Sequence, residues 1–216
     1  MILRDIQQLI GGIYDVSVAH DVYDFLVTDR GHLPAAVRAS VSDEQLIVAQ
    51  QSDAVAVSLY LDPALLERLQ RADPLRALHE GNLADYWTAL EGVSHFVYFA
   101  WNAEHNKTVS LLELELQAEI DKYMGSVWLL RRQLPHHFPV ELLRVLFERT
   151  RIDPTLAAGR TELYRSASRY AQKFCRRIEQ VLRERATDSE QRVLAELRRF
   201  YRLADARKLA HIESHV

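Results

Sequence analysis

Apolar residues recur every three or four positions along most of the chain, which predicts helices, and one stretch alternates in a way that predicts strands. The first helical pattern covers about 2–14 and ends near Gly11-Gly12. The run Val22, Tyr23, Phe25, Leu26, Val27 suits either a strand or a buried helix, and Asp29-Arg30-Gly31-His32 reads as a turn. Residues 45–61 place two β-branched runs around Gln50-Gln51-Ser52-Asp53, which predicts a β-hairpin. Asp62-Pro63 is a helix start, an N-cap aspartate before a proline in the first turn. From there the periodicity predicts helices at about 63–72, 83–104, 108–134, 139–150, 161–186 and 189–213. Thr161 is a candidate cap for the helix at 161–186, and Thr187-Asp188-Ser189-Glu190 has capping-box spacing for the last. The expected fold class is mainly α: an antiparallel helical bundle (63–216) and a small N-terminal α/β part (1–62) with the hairpin, packed as one unit.

The central helices carry an unusual polar face. At 100° per residue, Thr88, Glu91, His95, Tyr98, Asn102 and His105 share about 100° of arc, and no Lys or Arg occurs from Leu83 to Asn106. A solvated helix face normally recruits Lys, Arg and Glu. On the next helix Glu115, Glu119, Lys122 and Ser126 share a narrow face flanked by apolar residues on both sides. A second strip, Glu113, Gln117 and Asp121, is expected to face solvent. The short link at Asn106-Lys107 makes the two helices antiparallel neighbours, so their polar strips can meet. His95, Glu115 and Glu119 are therefore candidate metal ligands, with Glu91 and His105 as additional ones. The opposing expectation is a structural network in which Arg165 and Arg169, which share a basic face with Gln172 and Arg176, neutralise Glu115 and Glu119.

Composition narrows the function classes. The 216 residues, 48% hydrophobic and 26% charged, suffice for a core that needs no disulfide or metal to fold. The single cysteine, Cys175, cannot form an internal disulfide, and no stretch approaches a membrane span. Without a signal-peptide pattern at the start, the expected location is cytoplasmic. Cys175 beside Arg176-Arg177 is a candidate nucleophile, though a lone helical cysteine is more often a small buried hydrophobe. The net charge of −3 hides an asymmetry: residues 160–216 carry 14 Lys and Arg against 8 Asp and Glu, and the remainder 13 against 22. That pattern suits docking, within the chain or onto a partner, better than nucleic-acid binding through Arg192, Arg198, Arg199, Arg202, Arg207 and Lys208.

Arg131 and Arg132 precede His136 and His137 at Arg-x4-His spacing, which resembles the motif of helical RNases of the HEPN type and would imply RNA cleavage. The resemblance covers those few residues only, and Pro135 breaks the helix that would carry it. There is no Gly-rich phosphate loop, no Gly-x-Ser-x-Gly and no Cys-x-x-Cys. The first expectation is thus a non-enzymatic regulatory or protein-interaction module, with a protein partner or a second copy of itself. The alternatives are a metal-dependent enzyme with its site between helices 83–104 and 108–134, and nucleic-acid binding at the C-terminal helices. No cofactor is identified, and a divalent metal ranks below a structural network for the polar band.

Overall fold

The computed structural model describes residues 1–38, 42–51, 54–135, 138–148, 158–184 and 186–214. The chain is mainly α with a small sheet near its N-terminus. In order come α1 (Ile2–Tyr14), β1 (Leu26–Val27), α2 (Ala35–Arg38), β2 (Glu44–Gln51), β3 (Ala54–Leu61), α3 (Pro63–Arg71), α4 (Glu80–Glu104) and α5 (Leu111–Gln133). Then follow α6 (Leu142–Glu148), α7 (Ala158–Arg183), α8 (Ser189–Tyr201) and α9 (Asp205–Glu213).

The sheet order is β1-β3-β2. β2 and β3 form the antiparallel hairpin, in register from Glu44 opposite Leu61 to Gln51 opposite Ala54. The ambiguous run at 22–27 resolves into a 3-10 turn, Val22–Phe25, and the short strand β1, which adds to β3 in parallel. One face of the hairpin lies on α4, which supplies the apolar cover that an isolated hairpin lacks.

Local capping explains several helix ends. The Asp62 carboxylate accepts the Ala64 amide, with Pro63 in the first turn of α3. Ser110 and Glu113 form a reciprocal capping box at the start of α5, and His79 with Asn82 does the same for α4. Asn106 takes a left-handed conformation (φ 54°) in the tight link between α4 and α5. α1 continues through Gly11-Gly12 and ends at Asp15, which is left-handed (φ 53°).

Three expectations about the C-terminal third are corrected. The helix expected at 189–213 is two helices, α8 and α9, broken at 202–204. The apolar period runs through the break, so it could not reveal it; the Arg202 guanidinium instead turns to bond the Tyr14 and Asp15 carbonyls. Asp188 precedes α8 but makes no side-chain cap bond, and Thr161 lies inside α7 rather than before it.

α4 is the central helix. It touches α1, α3, α5 and both strands of the hairpin, and α5 in turn lies against α7. The core runs from Leu3, Ile6 and Ile10 of α1 through Leu59 and Leu61 of β3 to Phe174, Leu197 and Phe200, joining the N-terminal part to the bundle. This position accounts for the missing Lys and Arg on α4: Asn82, Ser94, His95 and Asn102 are buried against the rest of the protein. No helix among the described residues is long and apolar enough to cross a membrane.

Candidate metal centre between α4 and α5

The polar strips of α4 and α5 do meet, at their middles. His95 is the pivot. Its Nε2 lies 3.7 Å from Glu115 Oε2 and its Nδ1 lies 3.5 Å from Glu44 Oε1. Donor atoms of Glu91, His95 and Glu115 all fall within 4.8 Å of one another. Lys122 bridges Glu91 at 2.9 Å and Glu119 at 2.6 Å. The side chains of His95 and Glu115 are each 7% exposed and that of Glu44 10%, while Glu91 at 27% is the open side. Three atoms here are buried without a hydrogen-bond partner: His95 Nε2, Glu44 Oε1 and Glu119 Oε2.

The local sequence explains the convergence. Glu91 and His95 are one helical turn apart on α4, and Glu115, Glu119 and Lys122 follow the same rule on α5. Glu44 opens β2 and reaches the site because residue 92 is glycine. A Cβ there would sit 2.8 Å from Glu44 Cγ and 2.9 Å from Leu59 Cδ1. Gly125 likewise lets α5 approach α4, where a Cβ would meet Leu90 at 2.8 Å and the Tyr86 hydroxyl at 2.9 Å.

Electrostatics follow from burying four carboxylates beside one ammonium and one imidazole. Burial pushes the Glu115 carboxyl up to about 7 and also raises Glu44. Burial acts to lower His95, but Glu44, Glu115 and Glu91 outweigh it and hold the imidazole up at about 9. Burial would raise Glu91, yet Lys122 and His95 keep it below the usual carboxylate range. Tyr164, on the buried side of α7, is raised by burial and by the nearby Glu115 and Glu91. The surroundings therefore favour a proton on His95, and burial favours one on Glu115, so a cation would compete with both.

The rest of the band goes elsewhere. Asn102 donates to the Tyr98 carbonyl (2.8 Å), and His105 Nδ1 meets the Trp101 carbonyl (2.6 Å), both local backbone contacts. Tyr98 turns toward Glu113, at 3.5 Å, and packs edge-on against Tyr201. The expected basic partners do not arrive. α7 packs through Ala167, Ala171, Phe174 and Ile178, which turns Arg165, Arg169 and Arg176 outward. Arg169 lies over the Tyr170 ring and Arg176 faces Glu148. Lys122, on α5 itself, is the cation that pairs with Glu119.

The strip expected to face solvent is also corrected: Glu113, Gln117 and Asp121 are all buried. Asp121 accepts from Tyr14, from Ser94 at 2.5 Å and from Gln117 at 2.8 Å. Gln117 in turn accepts from Lys208 at 2.8 Å. Lys208 is fully buried, with its ammonium 4.6 Å from the ring centres of both Tyr98 and Phe200. Burial pushes Asp121 up to about 6 and Lys208 down to about 7. α5 thus has no solvated strip, because α1, α4, α7 and α9 supply partners around it.

Other candidates fare as follows. Cys175 is fully buried, and burial raises its thiol well above the usual value, so the thiolate needed for attack is disfavoured. Arg198 and Arg202 hold the last carbonyls of α1, from Gly12 to Asp15. Arg177 pairs with Glu196 at 2.7 Å. His136 and His137 lie outside the described residues. Compared with known proteins, the chain matches no family model, no curated protein and no solved structure.

Proposed function

We propose that this protein binds one first-row divalent metal ion between α4 and α5, through His95 Nε2, Glu91 and Glu115. One observation carries the reading. His95 has a carboxylate, Glu44, at Nδ1 and a buried, unbonded Nε2 facing a second carboxylate, Glu115. Metal-binding histidines commonly give their other ring N–H to a carboxylate, which fixes the tautomer and leaves the ligating nitrogen bare. The separation also suits an ion better than a proton. At 3.7 Å, Nε2 and Glu115 Oε2 are too far apart for a hydrogen bond. Two donors about 2.1 Å from a common ion and 3.7 Å apart subtend roughly 120° at that ion, close to tetrahedral and five-coordinate angles.

One imidazole with carboxylates points to Zn²⁺, Mn²⁺ or Fe²⁺ rather than the all-oxygen sites of Ca²⁺. Glu119 belongs with Lys122 in this reading and is not a first ligand. Of the basic C-terminal third, Arg177, Arg198, Arg202 and Lys208 are engaged within the chain.

The test is thermal unfolding of chelator-treated protein with each ion added in turn. An ion at about 100 times its Kd adds about 2.7 kcal/mol, or roughly 5–10 °C in Tm for a chain of this size. His95→Gln and Glu115→Gln should each abolish the shift. Burial already favours the protonated Glu115, so its amide isostere should not lower the Tm of the metal-free protein, which separates ligand loss from misfolding. No shift with any of the three ions would sink the reading.

A further inference from the structure

We infer that Lys122 is the second cation of this centre: its ammonium sits between Glu91 and Glu119 where a two-metal carboxylate site would hold its second ion. The inference rests on the metal reading above and extends it to the make-up of the site.

The geometry is that of a shared carboxylate. Glu91 contributes a donor to the triad with His95 and Glu115, and its Oε2 also accepts from Lys122 Nζ at 2.9 Å. Lys122 Nζ then reaches Glu119 Oε1 at 2.6 Å, while Glu119 Oε2 is buried with no partner. A carboxylate joining two positive centres, with a terminal carboxylate beyond the second, is how paired ions are held about 3.5–4 Å apart. The Lys122 side chain is 8% exposed, so water cannot replace its charge. Without the ammonium, the half-buried Glu91 and Glu119 would face each other as like charges with no cation between them, a repulsion that a second divalent ion would relieve. Lys122 therefore limits the natural centre to one ion.

Lys122→Ser tests this by opening the position. Wild type and variant are loaded with Mn²⁺, dialysed to equilibrium and assayed for metal per chain, with electron paramagnetic resonance as a second readout. The expected result is one ion per chain and an isolated six-line spectrum in the wild type. In the variant it is two ions per chain and a spectrum broadened by coupling. One ion per chain in both proteins overturns the inference and leaves the metal reading standing, as does two in both. No ion in the wild type overturns the metal reading, and the inference with it. If metal-free Lys122→Ser is unfolded, Mn²⁺ titration followed by circular dichroism decides the matter. Recovery of helix at two equivalents supports the second position, and recovery at one equivalent or none overturns it. Lys122→Arg keeps the cation and should stay at one ion.

Discussion

His95 has a carboxylate near each ring nitrogen, Glu44 at Nδ1 and Glu115 at Nε2. Without an ion, the carboxylates around it favour imidazolium, with its pKa held at about 9 against the opposing effect of burial. The proposed metal would have to displace that proton and one on Glu115, so affinity should fall as pH drops below about 9 and more steeply below about 7. In the proposed site Glu44 would act on the ion only through His95. Glu44→Gln should weaken binding by 10–100-fold without changing the number of ions bound, as measured by titration calorimetry. Unchanged affinity would show that Glu44 does not orient the ring. The helical partners of this site were legible in the sequence, because Glu91 and His95 on α4, and Glu115 and Glu119 on α5, obey the i, i+4 rule. Glu44 was not, because its approach to His95 is made by packing between a strand and a helix and leaves no local spacing to read.

That packing depends at the level of elements on Gly92. A side chain there would displace the hairpin, since even a Cβ falls within 3 Å of Glu44 Cγ and Leu59 Cδ1. Gly92→Val should destabilise the protein by about 1–3 kcal/mol through overpacking. It should also lower metal affinity by moving Glu44, which pairs a Tm measurement with a binding one. A loss of stability with unchanged affinity would separate hairpin docking from the site. Elements with local signals, such as α3 after Asp62-Pro63 and the hairpin with its β-branched runs, follow the pattern closely. The break between α8 and α9 does not, because what holds it open is a bond from Arg202 to the far end of α1.

For the molecule as a whole, the buried Lys208 ties α9 to the interior of the bundle through Gln117 and a box of aromatic rings. Burial depresses its pKa to about 7 from the usual 10.5, so between those values the unfolded chain holds more protons than the native one. Wild-type stability therefore gains from this group as pH rises through that window, and the burial cost is full below it. Lys208→Met removes the ionisable group while keeping most of the volume. Relative to wild type, the variant should be most stable near pH 6 and lose that advantage by pH 9.5. The change is on the order of 3 kcal/mol for such a shift, measured by urea unfolding at the two pH values. A difference independent of pH would mean that Lys208 does not carry this cost. The chain's pattern by itself determined that this is a helical protein with one hairpin, that α4 has an exceptional polar face, and that His95 and Glu115 could converge. These are properties of period and short links, which act over a few residues. Only the tertiary structure decided which polar strip is buried, which cation neutralises the glutamates, and that Glu44 completes the histidine's surroundings. Those outcomes depend on which helices surround α5 and on where residues distant in sequence meet, and no local period encodes that.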